Sequence, residues 1–162
     1  MHYPDLAAYD YLPEEHFTDR EPPFGDVSFR PAYARLAVGW LAAGRPYPVG
    51  PVPAALTRRL AVIGAVQRVN LCLGYHECDL CPPGQRPPEG NGELRVPGAP
   101  GVAYAAPVLI GHYVTGHGYR PPPEFVAAVL AVDVDAWSRS RWPELPFPWI
   151  PADAKYWDWT VE

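Results

Sequence analysis

Tyr75-His76-Glu77-Cys78-Asp79-Leu80-Cys81 and, after it, Gly111-His112-Tyr113-Val114-Thr115-Gly116-His117-Gly118-Tyr119 are the stretches around which the chain is organised. Together they spell Cys-x2-Cys followed by His-x4-His. Two cysteines two residues apart can reach one ion from a tight knuckle. Zinc takes a tetrahedral set of thiolate sulfur and imidazole nitrogen, and a His-x3–5-His pair at a helix end lies within its usual spacing. The expected metal ligands are Cys78, Cys81, His112 and His117, and the expected cofactor is zinc. Two thiolates and two neutral imidazoles leave the ion with no net charge, so such a site can be buried. His76, two residues before Cys78, is an alternative ligand or a hydrogen-bonding neighbour of one.

The histidine pair poses a geometric problem. A helix turns about 100° per residue, so five residues place two side chains about 140° apart. Gly116 and Gly118 flank His117. Unwinding there is the expected way for both rings to meet one ion.

Between the clusters, residues 93–96 and 102–105 read as a β-hairpin across Pro97-Gly98-Ala99-Pro100-Gly101. Residues 82–92 read as a polar Pro/Gly loop that absorbs the extra length between knuckle and helix. Pro107 is expected to open a helix over about 108–116, with Ile110 and Val114, then Leu109 and Tyr113, as its apolar rows and Gly118 as its left-handed stop. A second helix is expected from Pro53, with Leu56, Leu60 and Ile63 inward and Arg58 and Arg59 outward. A third runs from Pro122 or Pro123 to about Leu130. Short strands are expected over 35–41 and over 67–73, where Val69, Leu71 and Leu73 alternate with Arg68, Asn70 and Cys72.

Residues 1–30 are acidic and aromatic, and read as an extended strap with its aromatic rings on the core and its carboxylates in water. Their other reading is an acidic docking surface for a basic partner. The segment from Asp133 reads as irregular and carries five of the six tryptophans. Its two readings are a packed strap and a binding surface, since Trp and Tyr are enriched at binding hot spots. The expectation is one domain over 1–162, with an N-terminal strap (1–30), a zinc-stapled core (31–132) and a Trp-rich extension (133–162). The fold class is α+β: short strands, a hairpin and about three helices around a zinc-finger-like site, with long Pro-rich irregular segments.

The totals agree with this. Of 162 residues 48% are hydrophobic, enough for a core, and 23 are proline, which keeps helices few and short. The formal charge is −5 and Lys155 is the only lysine, against a non-specific nucleic-acid binder or a polybasic membrane anchor. No apolar run approaches the roughly 20 residues of a membrane span, and residues 1–5 lack the features of a secretory signal. A cytoplasmic protein is expected. A Cys-x2-Cys suits a metal site better than a disulfide framework there.

Several chemistries lack their motifs. Leu80 stands where a zinc protease needs its second histidine. The His-x-Glu and Pro-Cys-x-x-Cys of nucleobase deaminases are absent. Pro82 and Pro83 prevent the helix that a thioredoxin-type dithiol opens.

The pattern from Tyr3-Pro4-Asp5-Leu6 through Val38-Gly39-Trp40-Leu41, His76-x-Cys78-x2-Cys81 and Glu93-Leu94-Arg95-Val96-Pro97-Gly98 continues to Ala105-Ala106-Pro107-x-Leu109-Ile110-x-His112-Tyr113-Val114-x-x-His117-Gly118-Tyr119-x-Pro121-Pro122-x-Glu124-Phe125. It resembles a group of small uncharacterised bacterial proteins over about residues 3–130. The resemblance implies the domain limits and the cysteine–histidine core, and no activity. The tail after residue 132 departs from it.

Three functions follow as expectations. The first is a non-catalytic interaction or accessory protein with structural zinc, bound to another protein through acidic and aromatic surfaces. The second is a zinc-dependent, hydrolase-like enzyme with an open coordination position and Glu77, Asp79 or Glu93 as base. The third, a nucleic-acid module, is opposed by the charge and by a ligand helix that carries no lysine or arginine.

Overall fold

A charged strand at the centre of the molecule, Glu93-Leu94-Arg95-Val96, is covered on both faces. The computed structural model describes residues 1–18, 25–135 and 150–158. In chain order the elements are β1 (Glu15–Thr18), β2 (Gly25–Phe29), β3 (Ala34–Ala37), α1 (Ala54–Val66), β4 (His76–Glu77), β5 (Glu89–Gly90), β6 (Glu93–Pro97), β7 (Val102–Pro107), α2 (Ile110–His117), α3 (Pro123–Ala131) and β8 (Lys155–Asp158). Among the described residues the fold is α+β, with these three helices and short strands in small sheets.

The hairpin forms as expected, β6 pairing antiparallel with β7 from Glu93↔Pro107 to Pro97↔Ala103. β3 lies parallel to β7 on its other side, which forces a long crossover, and α1 lies within it. β1, β2 and β8 make a second antiparallel sheet, ordered β1-β2-β8. Val69 joins the two sheets, bridging Phe17 of β1 and Glu93 of β6.

Side-chain alternation sorts the core into two layers. Leu94 and Val96 of β6, with Tyr104 and Ala106 of β7, pack under the three helices against Leu56, Leu60, Ile63, Ile110, Phe125 and Val129. Ala105 faces the other way, onto Tyr9 and Ala37. Glu93 and Arg95 share that other side, where the N-terminal segment covers them. Arg95 is fully buried. Its Nε donates to Glu15 Oε1 at 2.9 Å and its Nη2 to Glu93 Oε2 at 2.6 Å. Arg35 Nη1 also donates to Glu15 Oε1, and Tyr9 OH donates to Glu93 Oε1 at 2.6 Å. The Tyr9 ring lies 5.3 Å from the Arg95 guanidinium and 5.5 Å from that of Arg35. Burial alone would push the Arg95 guanidinium down, but Glu15 and Glu93 outweigh it and hold it above its ordinary value.

Several expectations are corrected. The N-terminal carboxylates do not all face water: Glu15 is buried in the ion network, and Asp5 accepts from Gly39 N and Tyr119 OH. The strand expected over 67–73 shrinks to one bridging residue, Val69. Asn70 takes φ 51°, which turns the chain, and Leu71 and Leu73 leave the core; Leu73 is fully exposed. Asn70 is buried as a polar hinge, its Oδ1 accepting from His16 N at 3.0 Å. The strand expected over 35–41 stops at Ala37, because Gly39 has φ 73° and lies against Ile110 and Tyr119. Pro107 ends β7 instead of opening a helix, and α2 begins at Ile110. The expected loop 82–92 contributes Glu89–Gly90 to a small ribbon. In the tail, Lys155–Asp158 is a strand paired with β2. Trp137, Trp142, Trp149 and Trp159 lie outside the described residues.

Candidate metal centre

The knuckle is built by the ribbon β4–β5, in which His76 pairs with Gly90 and Glu77 with Glu89. The next residue, Cys78, donates its backbone N–H to Pro88 O at 2.9 Å, extending the ribbon into the turn. Asp79 Oδ2 accepts from Ala43 N at 3.3 Å, and Leu80 packs on the helical core. Cys78 is buried and Cys81 is half-buried.

α2 presents the histidines. Ile110, Tyr113 and Val114 hold its inner face in the core. Its last turn is widened: the Gly118 N–H donates to Tyr113 O, five residues back instead of four, with Gly118 at φ 65°. Tyr119 N–H reaches the same carbonyl at 3.0 Å. The wider turn carries His117 back toward the azimuth of His112, so the pair meets without the helix ending earlier. Gly116 has a separate task. A Cβ there would stand 2.8 Å from His112 Cε1 and 3.0 Å from Nδ1, so glycine leaves the space that the ring occupies. After α2, Tyr119 is fully buried and its hydroxyl donates to Asp5 Oδ1 at 2.8 Å, which anchors the exit.

The result is one cluster. Cys78 Sγ lies 3.3 Å from His117 Nε2, and Cys81 Sγ lies 3.4 Å from His112 Nε2 and 3.6 Å from His117 Nε2. The two imidazole Nε2 atoms are 3.1 Å apart. All four donor atoms fall within 4.8 Å of one another, an arrangement that can hold a metal ion. Burial and the neighbouring His117 push His112 below its ordinary value, toward the neutral imidazole a metal needs. Burial and the adjacent Cys78 push the Cys81 thiol up. A divalent cation would reverse that, since it stabilises both thiolates.

The other sequence candidates lie elsewhere. His76 is exposed on the ribbon and is not in the cluster. Glu77 is exposed beside it. Asp79 caps Ala43. Glu93 is tied to Arg95 and Tyr9 in the opposite layer of the core. The ion network is what sequence reasoning missed. Its only local trace is the alternation of charged and apolar residues in β6.

These features define an α+β domain with a Cys2His2 cluster between a ribbon knuckle and a helix end. The family model described as "Domain of unknown function (DUF7919)" matches residues 1–130, and the chain belongs to that family. No curated protein and no solved structure matches it. Among the described residues, no helix is long and apolar enough to cross a membrane.

Proposed function

We propose that this chain is a zinc-stapled, non-catalytic interaction protein. One observation carries the metal: the spacing of the four donors. With Zn–S near 2.3 Å and Zn–N near 2.0–2.1 Å, tetrahedral angles put neighbouring donors about 3.3 Å (N···N) and about 3.6 Å (N···S) apart. The corresponding separations here are 3.1 Å, then 3.3, 3.4 and 3.6 Å. Two thiolates and two imidazoles favour zinc over harder cations.

A structural role is supported by the donor count. His117 approaches both sulfurs and the other imidazole, so four protein donors fill the tetrahedron and leave no position for water. Asp79 is engaged with backbone and Glu93 is locked in its ion network, so neither of these two carboxylates is free to serve as a base at the cluster. The ion would then tie the knuckle to the end of α2, across the crossover that holds the helices on the sheet. The partner is proposed to be another protein.

Metal analysis with X-ray absorption tests this. The expected result is one zinc per chain, with two sulfurs near 2.3 Å and two nitrogens near 2.0–2.1 Å. Cys78→Ser is expected to lose the ion and much of the fold, since structural zinc contributes about 10–16 kcal/mol of binding free energy to folding. A well-folded, metal-free Cys78→Ser protein would sink the structural role. An oxygen in the shell in place of a nitrogen would favour chemistry at the ion.

A further inference from the structure

A pocket of about 360 Å³ opens between the helical core and the ribbon β4–β5. Trp40, Leu41, Val108, Leu109 and Tyr113 line it from the core side. Its volume falls in the range of small-molecule sites, about 300–1,000 Å³. Its walls are apolar and aromatic, so the few polar groups among them decide what it can hold.

Most of those groups are already engaged with the protein. Trp40 Nε1 donates to Ala105 O at 2.9 Å. Asn70 Oδ1 accepts from His16 N, and its Nδ2 donates to Glu93 Oε2 at 3.5 Å. Asn91 Oδ1 accepts from Cys72 N and its Nδ2 donates to Cys72 O. Glu93 is held by Arg95 and Tyr9. Tyr11, Tyr75 and His76 line the pocket too, but they are exposed and reach water.

Tyr113 is the exception. The residue is 2% exposed. Its ring meets those of His112 and His117, 6.1 and 6.5 Å away, but its hydroxyl has no hydrogen-bond partner among the described residues. A buried O–H with no acceptor is uncommon and calls for one. A buried water makes about three hydrogen bonds, and one free hydroxyl holds it poorly. A peptide strand would bring an N–H and a C=O per residue, more than these walls can satisfy. Among the described residues no lysine or arginine lines the pocket, and its one carboxylate, Glu93, is already paired. A charged ligand would therefore be desolvated there without a counter-ion.

We propose that this pocket binds an uncharged, largely apolar small molecule whose carbonyl or ether oxygen accepts a hydrogen bond from the Tyr113 hydroxyl. The inference goes beyond the reading of the chain as a zinc-stapled interaction protein and does not depend on it. The test uses the full chain and two probes. Prodan is an uncharged naphthyl ketone whose fluorescence shifts to the blue when it leaves water. Naphthalene lacks the oxygen and is measured by displacing prodan. Saturable binding of one prodan per chain is expected. Tyr113→Phe removes only the hydroxyl, so without ligand it should melt with the parent. It should weaken prodan by about threefold to tenfold, as loss of one hydrogen bond does, and leave naphthalene bound as tightly as before.

Absence of saturable prodan binding overturns the inference, and so does an unchanged prodan affinity in Tyr113→Phe. An equal loss for both probes would trace the effect to the shape of the pocket. A lower melting temperature of the ligand-free variant would show that the hydroxyl is already bonded within the protein. Either result also overturns it.

Discussion

Gly116→Ala separates the helix from the metal, because the two want opposite things of that position. Alanine is favoured over glycine in a helix by about 0.5–1 kcal/mol. Under excess chelator the His112 ring is free to swing away from the new methyl group, so the variant should be as stable as the parent or slightly more so. With metal bound the ring is pinned by its Nε2. The new Cβ would then stand 2.8 Å from Cε1 and 3.0 Å from Nδ1. Ring or helix must give by several tenths of an ångström. Disturbing the support of a metal ligand typically costs about 10–100-fold in affinity, or about 1.4–2.7 kcal/mol. The assay is competition for zinc against a chromophoric chelator, with thermal unfolding of both proteins with and without chelator. The expected pattern is weaker zinc binding with an unharmed metal-free chain. Unchanged zinc affinity would refute the reasoning. So would an equal loss of stability with and without metal, since the defect would then be one of helix packing.

Arg95→Met removes the guanidinium that Glu15 and Glu93 share, leaving Glu15 with Arg35 alone and Glu93 with no cation in the network. Breaking a buried pair from one side costs about 3–5 kcal/mol, to be read as a fall in the urea midpoint; a change below about 1 kcal/mol would show that the carboxylates relax at little cost. Alkaline pH should unfold the protein through its buried phenols. Burial, reinforced by Glu93 at Tyr9, Glu15 at Tyr33 and Asp5 at Tyr119, holds all three hydroxyls above their ordinary value. A folded pKa above the unfolded one gives stability that is complete below the unfolded value, about 10, and is lost as pH rises past it. Three such groups lose about 4 kcal/mol per pH unit there. Tyrosinate absorbance should therefore rise together with loss of the far-ultraviolet dichroism, and stability unchanged from about pH 9 to 11 would contradict this.

What was legible in the sequence is what its local pattern determines. Leu56, Leu60 and Ile63 repeat at helical spacing, and they are the buried residues of α1. The hairpin lies between two alternating runs with a Pro/Gly turn, and it forms. The same alternation misled at residues 67–73. Val69, Leu71 and Leu73 look alike in a period-two pattern, yet one residue of positive φ, Asn70, sends the last two to the surface. Asparagine tolerates that conformation better than most residues, but tolerance alone does not say where a turn falls. The β6 alternation was misleading in a different way. Charged and apolar residues in alternation suggest a strand with one wet face, and here the charged face is covered by Glu15 and Tyr9, 80 and 86 residues earlier in the chain. Nothing within a window of ten residues reveals such a partner.

The Cys–His cluster was more legible than the core because each half is local: a knuckle of four residues and a helix end of six. What stayed hidden was the division of labour between the two glycines around His117. In the sequence they form one device that loosens a helix. In the structure Gly118 supplies a left-handed residue that closes a widened last turn, and that turn aims His117. Gly116 stays inside the helix and supplies only a missing methyl group, which leaves room for His112. One glycine is required for its backbone and the other for its lack of a side chain. Asparagine at 118 should therefore be tolerated far better than alanine at 116, because asparagine enters the left-handed region readily, whereas no residue other than glycine lacks a Cβ.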